Sequence, residues 1–205
     1  MTSLVGKSAP DFTATAVLAN NEFLPEFTLL SLRGKYVILL FYPLDFTFVC
    51  PSEIIAFDEA LQQFETRGTQ IVGVSVDSHY THLAWKNTPV EKGGIGQVRF
   101  PLVSDITKDI AERYGVLTDE GVALRGLFLI DREGIVQHSV INNQSLGRSV
   151  KEALRMVDAL RFHERRGKVC PADWREGDEG MDATTQGVVD YLTKYAVNKG
   201  GLKTE

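Results

Sequence analysis

The sequence predicts an α/β fold built on a mixed central sheet with helices on its faces. Residues 36–43 and 70–76 are short and almost continuously apolar, which is typical of strands buried on both faces. Each of these runs is followed by a segment with helical periodicity. Residues 127–130 and 135–140 then flank the turn-forming segment 131–134, which adds an antiparallel hairpin, so the sheet is not purely parallel.

The helices are predicted from the spacing of apolar residues. After Cys50, apolar residues recur at spacings of three, four and three: Ile54, Phe57, Leu61 and Phe64. Shorter helices are expected over residues 79–86 and 106–114, where Pro89 and Gly115 mark their ends. Ser149 is expected to cap a longer helix before the C-terminal part of the chain.

The C-terminal part differs in composition from the rest. Residues 175–180 are charged and glycine-rich, which is too polar for a packed core, and one more amphipathic segment follows them. We therefore expect one domain over residues 1–165 and a C-terminal arm over residues 166–205. Cys170 lies in this arm, which we expect to move.

Composition excludes several classes of protein. The chain has 205 residues, of which 43% are hydrophobic and 24% charged, as in an ordinary globular protein. Its formal net charge of -5 is opposite to that of a typical nucleic-acid-binding protein. The first residues do not resemble a secretory signal, and no apolar run is long enough to cross a bilayer. We therefore expect a cytoplasmic protein that binds neither nucleic acid nor membranes.

The candidate metal and cofactor motifs are weak. With two cysteines and no Cys-x-x-Cys, the chain has no cysteine-based zinc site. His79 and His82 share a predicted helix face but have no third ligand nearby, so we expect surface or structural roles for them. Residues 93–96 lack the spacing of a dinucleotide fingerprint. We expect neither a metal nor an organic cofactor.

Cys50 is the strongest candidate for chemistry. A cysteine without such a context is most often a small hydrophobic residue. Cys50, however, opens a predicted helix, where unpaired backbone amides and the helix dipole stabilise an anion such as a thiolate. Thr47 lies three residues earlier, close enough for its hydroxyl to reach the sulfur or a substrate oxygen. Because this position is not a second cysteine, a partner sulfur must come from elsewhere, and Cys170 is the only other thiol.

Residues 41–54, which read FYPLDFTFVCPSEI, closely resemble the active-site loop of the typical two-cysteine peroxiredoxins, the alkyl hydroperoxide reductase C and thioredoxin peroxidase type. The resemblance continues through residues 84–85, 125–131, 147–149 and 169–174, and covers nearly the whole chain. It implies a thioredoxin-like fold.

The resemblance also implies a role for each of seven matched residues. They are Cys50 as the peroxidatic thiol, Cys170 as the resolving thiol, Thr47 and Arg125 as ligands of the peroxide oxygens, Pro43 as the shield of the pocket, and Glu53 and Arg148 as supporting residues. Spacing alone leaves Glu53 open to a second interpretation, a first-turn carboxylate that favours the helix dipole.

The implied reaction is the reduction of hydrogen peroxide and organic hydroperoxides, in antioxidant defence and redox homeostasis. Attack by the thiolate gives a sulfenic acid, which condenses with a thiol to form a disulfide. The residues themselves leave open whether Cys170 comes from the same subunit. The resemblance implies the partner subunit of a homodimer, a ring of five dimers, and regeneration by thioredoxin or a dedicated flavoprotein disulfide reductase.

Two markers in this family bear on overoxidation of the peroxidatic cysteine. Residues 93–96 (GGIG) resemble the first marker, but Tyr195-Ala196 stands where the second has a Tyr-Phe pair. We therefore expect intermediate or low sensitivity to sulfinic-acid formation.

Two alternative functions remain open from the sequence. A thiol-disulfide oxidoreductase could share the fold, although the absence of Cys-x-x-Cys argues against it. A holdase chaperone is the alternative from another class, since large assemblies can expose apolar surface.

Overall fold

The computed structural model describes residues 3–197, and the chain divides into two units, residues 1–154 and 155–205. The division falls within a helix, Val150–Arg166. The domain boundary predicted at 165/166 stays a prediction. Among the described residues, no helix is both long enough and apolar enough to span a bilayer.

Seven strands form one mixed sheet in the first unit, in the order β2-β1-β5-β4-β3-β6-β7. Their bounds are β1 Thr13–Val17, β2 Phe23–Thr28, β3 Tyr36–Phe41, β4 Thr69–Ser75, β5 Leu102–Ser104, β6 Arg125–Ile130 and β7 Val136–Asn142. The β3–β4 and β4–β5 pairs are parallel, whereas β3–β6, β6–β7, β1–β2 and β1–β5 are antiparallel. The predicted fold class, an α/β fold with a mixed sheet, is confirmed.

Six α-helices lie in the described part of the chain. They are α1 Cys50–Glu59, α2 Leu61–Glu65, α3 His79–Asn87, α4 Asp109–Arg113, α5 Val150–Arg166 and α6 Thr185–Leu192, with 3-10 turns at Leu29–Leu32 and Val90–Lys92 and a π-helical turn at Thr193–Val197. Ser149 Oγ accepts a hydrogen bond from the Glu152 amide, at 3.2 Å, as expected of a capping residue.

Several predicted elements differ in detail from the observed ones. The single helix expected after Cys50 is divided at Ala60 into α1 and α2. The helix predicted over residues 106–114 is shorter, at Asp109–Arg113. The sequence analysis did not predict β1, β2 or β5.

The position of β3 determines where the candidate site lies. All six of its residues are buried, because β3 lies between β4 and β6 near the centre of the sheet. The chain leaves the carboxyl end of β3 at Phe41 and enters α1 at Cys50. We call residues 42–49 the β3–α1 loop. Since a central strand and a helix fix its two ends, this loop has a defined course.

Candidate active site

Cys50 is the first residue of α1 and is fully buried. No side chain caps the start of this helix, and Pro51 occupies its first turn. The amide dipoles of the first turn therefore act on the sulfur without a competing cap, which favours an anion there.

Thr47 lies in the β3–α1 loop with its hydroxyl next to the sulfur. Thr47 Oγ1 is 3.0 Å from Cys50 Sγ and 2.7 Å from the carbonyl oxygen of Leu44. A hydroxyl has one proton and two lone pairs, so it donates to one of these partners at a time. When it donates to Leu44, its lone pairs are free to accept a hydrogen bond from a substrate O–H.

Arg125 reaches the same sulfur from the first residue of β6. Its Nη1 lies 3.5 Å from Cys50 Sγ, and its Nε donates to the carbonyl oxygen of Gln144 at 2.6 Å. The side chain is 3% exposed, so its charge is shielded from solvent. A buried guanidinium in this position stabilises negative charge on sulfur and on an oxygen bound beside it.

Glu53 lies one helical turn after Cys50 and connects two arginines. Its Oε2 accepts from Arg125 Nη1 at 2.6 Å and from Arg148 Nη2 at 2.9 Å, while its Oε1 accepts from Arg148 Nε at 2.8 Å and from the Arg148 amide at 2.7 Å. Burial opposes the charged form of Glu53, but the hydrogen bonds and charge of Arg148, and the charge of Arg125, hold the pKa of this carboxyl below its ordinary value. Glu53 is thus an ionised anchor for Arg125.

Arg148 is held in turn by the backbone of the sheet. Its Nη1 donates to the carbonyl oxygens of Phe41 and Gly126, both at 2.7 Å. These carbonyls belong to the end of β3 and the start of β6. The guanidinium therefore bridges β3, which leads into the β3–α1 loop, and β6, which begins with Arg125.

A pocket of about 320 Å³ opens beside Thr47 and Arg125. Its wall is mostly apolar and comes from the β3–α1 loop, the turn before β6 and the segment after β7: Pro43, Leu44, Phe48, Val49, Val122, Gln144 and Ser145. Pro43 itself is buried. The volume is sufficient for a small substrate with an apolar substituent.

Cys170 lies in the second unit and is half-buried. Its Sγ donates to the carbonyl oxygen of Ala159 at 3.4 Å. Burial raises the pKa of the Cys170 thiol, although the nearby charge of Arg155 opposes this shift. Both cysteines are free thiols in this structure.

The structure brings together five of the seven predicted site residues in one hydrogen-bonded network: Thr47, Cys50, Glu53, Arg125 and Arg148. Sequence reasoning missed the carbonyl of Gln144, because no side-chain pattern indicates a backbone acceptor. It also missed the environment of His82. Of the two roles expected for this histidine, the structure supports the structural one, since the side chain is fully buried. In the described part of the chain, no group of three or more His, Cys, Asp or Glu side chains could hold a metal ion.

A single thiol at the start of a helix, faced by a hydroxyl and a buried guanidinium in an α/β fold, is typical of the class of enzymes that use a cysteine as nucleophile. Comparison with known proteins identifies the family. Residues 5–139 match the model of the AhpC/TSA family, and residues 159–194 match that of the C-terminal domain of 1-Cys peroxiredoxin.

Curated relatives and solved structures agree with these models. The chain is 58% identical over 195 residues to alkyl hydroperoxide reductase C of Helicobacter pylori, covering 95% of this chain and 98% of the relative. It is 50% identical over 192 residues to peroxiredoxin-2 of Mus musculus, covering 93% and 96%. The structure of reduced Plasmodium vivax 2-Cys peroxiredoxin matches with a TM-score of 0.92 and 54% identity, covering 94% of this chain and 100% of that one.

The chain therefore belongs to the AhpC/TSA family and is a peroxiredoxin, an enzyme that reduces hydroperoxides. The expected family, the thioredoxin-like fold and the peroxidase activity are confirmed.

Proposed function

We propose that Cys50 is the peroxidatic residue, that Thr47 and Arg125 bind the peroxide, and that Pro43 shields it from water. The observation that carries this proposal is the double contact of Cys50 Sγ, with Thr47 Oγ1 at 3.0 Å and Arg125 Nη1 at 3.5 Å. A peroxide oxygen that approaches the sulfur between these two groups meets the Arg125 guanidinium as a donor and the Thr47 hydroxyl as an acceptor for the substrate O–H. Glu53 and Arg148 support Arg125 through the hydrogen bonds described above.

The first chemical step is nucleophilic displacement at oxygen. The Cys50 thiolate attacks one oxygen of ROOH, an S–O bond forms, and the O–O bond breaks. The sulfur is oxidised by two electrons to a sulfenic acid, and the other oxygen leaves as an alkoxide or hydroxide, which takes up a proton to become ROH or water. Arg125 stabilises the negative charge that grows on the leaving oxygen, so it acts in the transition state as well as in binding.

The second step forms a disulfide. The thiolate of Cys170 attacks the sulfur of the sulfenic acid, an S–S bond forms and the S–O bond breaks, and the hydroxide that leaves takes up a proton to become water. We assign Cys170 to the partner subunit of a homodimer, as the family resemblance implies. Because Cys50 is buried, the first turn of α1 must unfold locally before the two sulfurs meet.

We further propose a decamer of five dimers in the cytoplasm, where the enzyme serves antioxidant defence. Its substrates are hydrogen peroxide and organic hydroperoxides. Thioredoxin or a dedicated flavoprotein disulfide reductase returns the disulfide to two thiols. The solved relative from Plasmodium yoelii described as a thioredoxin peroxidase, which is 56% identical, supports thioredoxin as the first reductant to test.

The proposal is tested by mixing fully reduced protein with one equivalent of hydrogen peroxide and following peroxide loss. Wild type and Cys170→Ser should both consume it rapidly, whereas Cys50→Ser should not. On a non-reducing gel, only wild type should form a covalent dimer. If Cys50→Ser consumed peroxide at the wild-type rate, the assignment of Cys50 would be wrong.

The origin of Cys170 is tested with a mixture of the two single variants. After subunit exchange, Cys50→Ser and Cys170→Ser chains should form a disulfide-linked dimer with peroxide, because each supplies the cysteine that the other lacks. A monomeric product from oxidised wild type would place the disulfide within one chain and leave the peroxidase chemistry intact.

A further inference from the structure

A buried polar network includes Asp45 of the β3–α1 loop. Asp45 Oδ1 accepts from the Tyr42 hydroxyl at 2.9 Å, and Asp45 Oδ2 lies 2.7 Å from His82 Nδ1. The other ring nitrogen of His82, Nε2, lies 3.2 Å from the carbonyl oxygen of Val103 on β5. The Asp45 and His82 side chains are completely buried. Neither the disulfide chemistry nor peroxide binding uses this network.

The geometry fixes the number of protons that the Asp45–His82 pair holds. A carbonyl oxygen only accepts, so Nε2 must carry a proton to bond Val103. The short contact between Nδ1 and Oδ2 requires a second proton, whichever of the two atoms holds it. The pair therefore has no net charge, which is what a fully buried pair requires. Burial raises the pKa of Asp45 and that of Tyr42, so the phenol remains a donor.

The backbone of Asp45 is fixed as firmly as its side chain. Its amide donates to Asp77 Oδ2 at 2.8 Å, and Asp77 Oδ2 also accepts from the Ser75 hydroxyl at 2.9 Å. This amide shares a planar peptide group with the carbonyl of Leu44. That carbonyl is the one that accepts the hydroxyl proton of Thr47. Fixing the amide end of the peptide plane thus fixes the direction of the acceptor at its other end.

The loop needs such anchoring because it contains a strained residue. Phe46 lies between Asp45 and Thr47 with a φ of 53°, in the left-handed region that bulky side chains rarely adopt. A conformation of this kind persists only where its surroundings enforce it. The anchors on its two sides are the Asp45 network and the bond from Thr47 to Leu44.

We propose that His82 and Asp77 are positioning residues of the peroxidase, which hold the Leu44–Asp45 peptide so that the Thr47 hydroxyl donates to the Leu44 carbonyl and presents its lone pairs to the substrate O–H. The inference rests on the proposed role of Thr47. Neither residue touches the peroxide. His82 acts through the Asp45 side chain, and Asp77 acts through the Asp45 amide.

The test is a pair of double-mutant cycles in the Cys170→Ser background, where only the oxidation of Cys50 is observed. His82→Gln and Asp77→Ala should each lower the second-order rate constant for hydrogen peroxide by about tenfold, the value of one lost hydrogen bond. In a Thr47→Val background, each should change the rate by less than about twofold, because there is no hydroxyl left to aim. A purely structural role would give the same factor in both backgrounds and would overturn the inference.

Further variants separate the possible failures. His79→Gln is the matched control, since His79 lies on the same helix and its ring contacts Phe23 and Tyr80 instead of the loop; its rate should equal that of the parent. If His82→Gln does not fold, the Asp77→Ala cycle decides, because Asp77 is only half-buried. Peroxide loss that does not need Cys50 would refute the proposed function itself. A Thr47→Val variant as fast as its parent would refute the role of Thr47 and, with it, this inference.

Discussion

Replacement of Arg148 by lysine tests whether the geometry of this side chain, as distinct from its charge, holds the active site together. The side chain makes four hydrogen bonds in two directions: two to Glu53, and one each to the carbonyl oxygens of Phe41 and Gly126. An ammonium group has three protons at one point and cannot reproduce the fork of a guanidinium. Arg148→Lys should therefore lose at least one of these bonds without changing the net charge.

The expected cost follows from the burial of the partners. The Arg148 side chain is 1% exposed and that of Glu53 is 3% exposed, so water cannot replace the lost donors. A lost hydrogen bond to a charged group costs about 1.5–3 kcal/mol, and a buried carbonyl left without a donor costs about 1–3 kcal/mol. We expect a loss of about 3 kcal/mol in the free energy of unfolding.

The rate of peroxide reduction should fall as well, by about tenfold. Removing a transition-state donor outright costs about 10²–10³ in rate, and Arg148→Lys only loosens the carboxylate that holds Arg125, the donor that we propose. Urea unfolding measures the first effect and stopped-flow oxidation of Cys50 the second. Arg165→Lys, on an exposed part of α5, is the control and should leave both unchanged. Stability within about 0.5 kcal/mol of wild type, together with an unchanged rate, would refute the anchoring role of Arg148.

Three further predictions concern other parts of the chain. Burial lowers the pKa of Lys86 to about 8, so between about pH 8 and pH 10.5 the folded state binds fewer protons than the unfolded chain. In urea unfolding, the stability of wild type relative to Lys86→Met should rise by on the order of 3 kcal/mol over this range, and parallel pH curves would contradict this. A Cβ atom on Gly94 would lie 1.9 Å from the carbonyl oxygen of Thr88, so Gly94→Ala should lower the free energy of unfolding by more than about 2 kcal/mol. Thermal unfolding measures this loss, and an unchanged midpoint would argue against the close approach. Ala196 stands where the second family marker has an aromatic residue, so most Cys50 should remain free of sulfinic acid after turnover at millimolar peroxide, as measured by mass spectrometry. Rapid inactivation would contradict the expected intermediate or low sensitivity.

The strands that could be predicted from the sequence are the central ones. Both β3 and β4 are buried along almost their whole length, and each contains a run of apolar residues that the sequence shows plainly. By contrast, β2 is an edge strand with four exposed residues and a proline, and β5 has only three residues. Pairing with a neighbouring strand, not local sequence, makes such segments extended, and their own composition carries little signal.

The candidate site likewise has some features that could be predicted from the sequence and others that could not. The place of Cys50 at a helix start and the reach of Thr47 follow from spacings of a few residues, and the structure contains both. The contacts of Glu53 with Arg125 and Arg148 join residues that are 72 and 95 positions apart. No periodicity within the chain connects such distant positions, so only the family resemblance could indicate them.

The charges gathered around Cys50 suggest why oxidation itself prepares the enzyme for the next step. With Cys50 as a thiolate, two cations, Arg125 and Arg148, face two anions, Glu53 and the sulfur, and the buried cluster is neutral. Conversion of the sulfur to a sulfenic acid removes one anion and leaves one uncompensated positive charge in a site shielded from water, which is energetically costly. The folded conformation of the site is therefore most stable before the reaction with peroxide and less stable after it. If Cys50 and Cys170 react as proposed, this difference favours local unfolding of the first turn of α1 at the stage when the two sulfurs must meet.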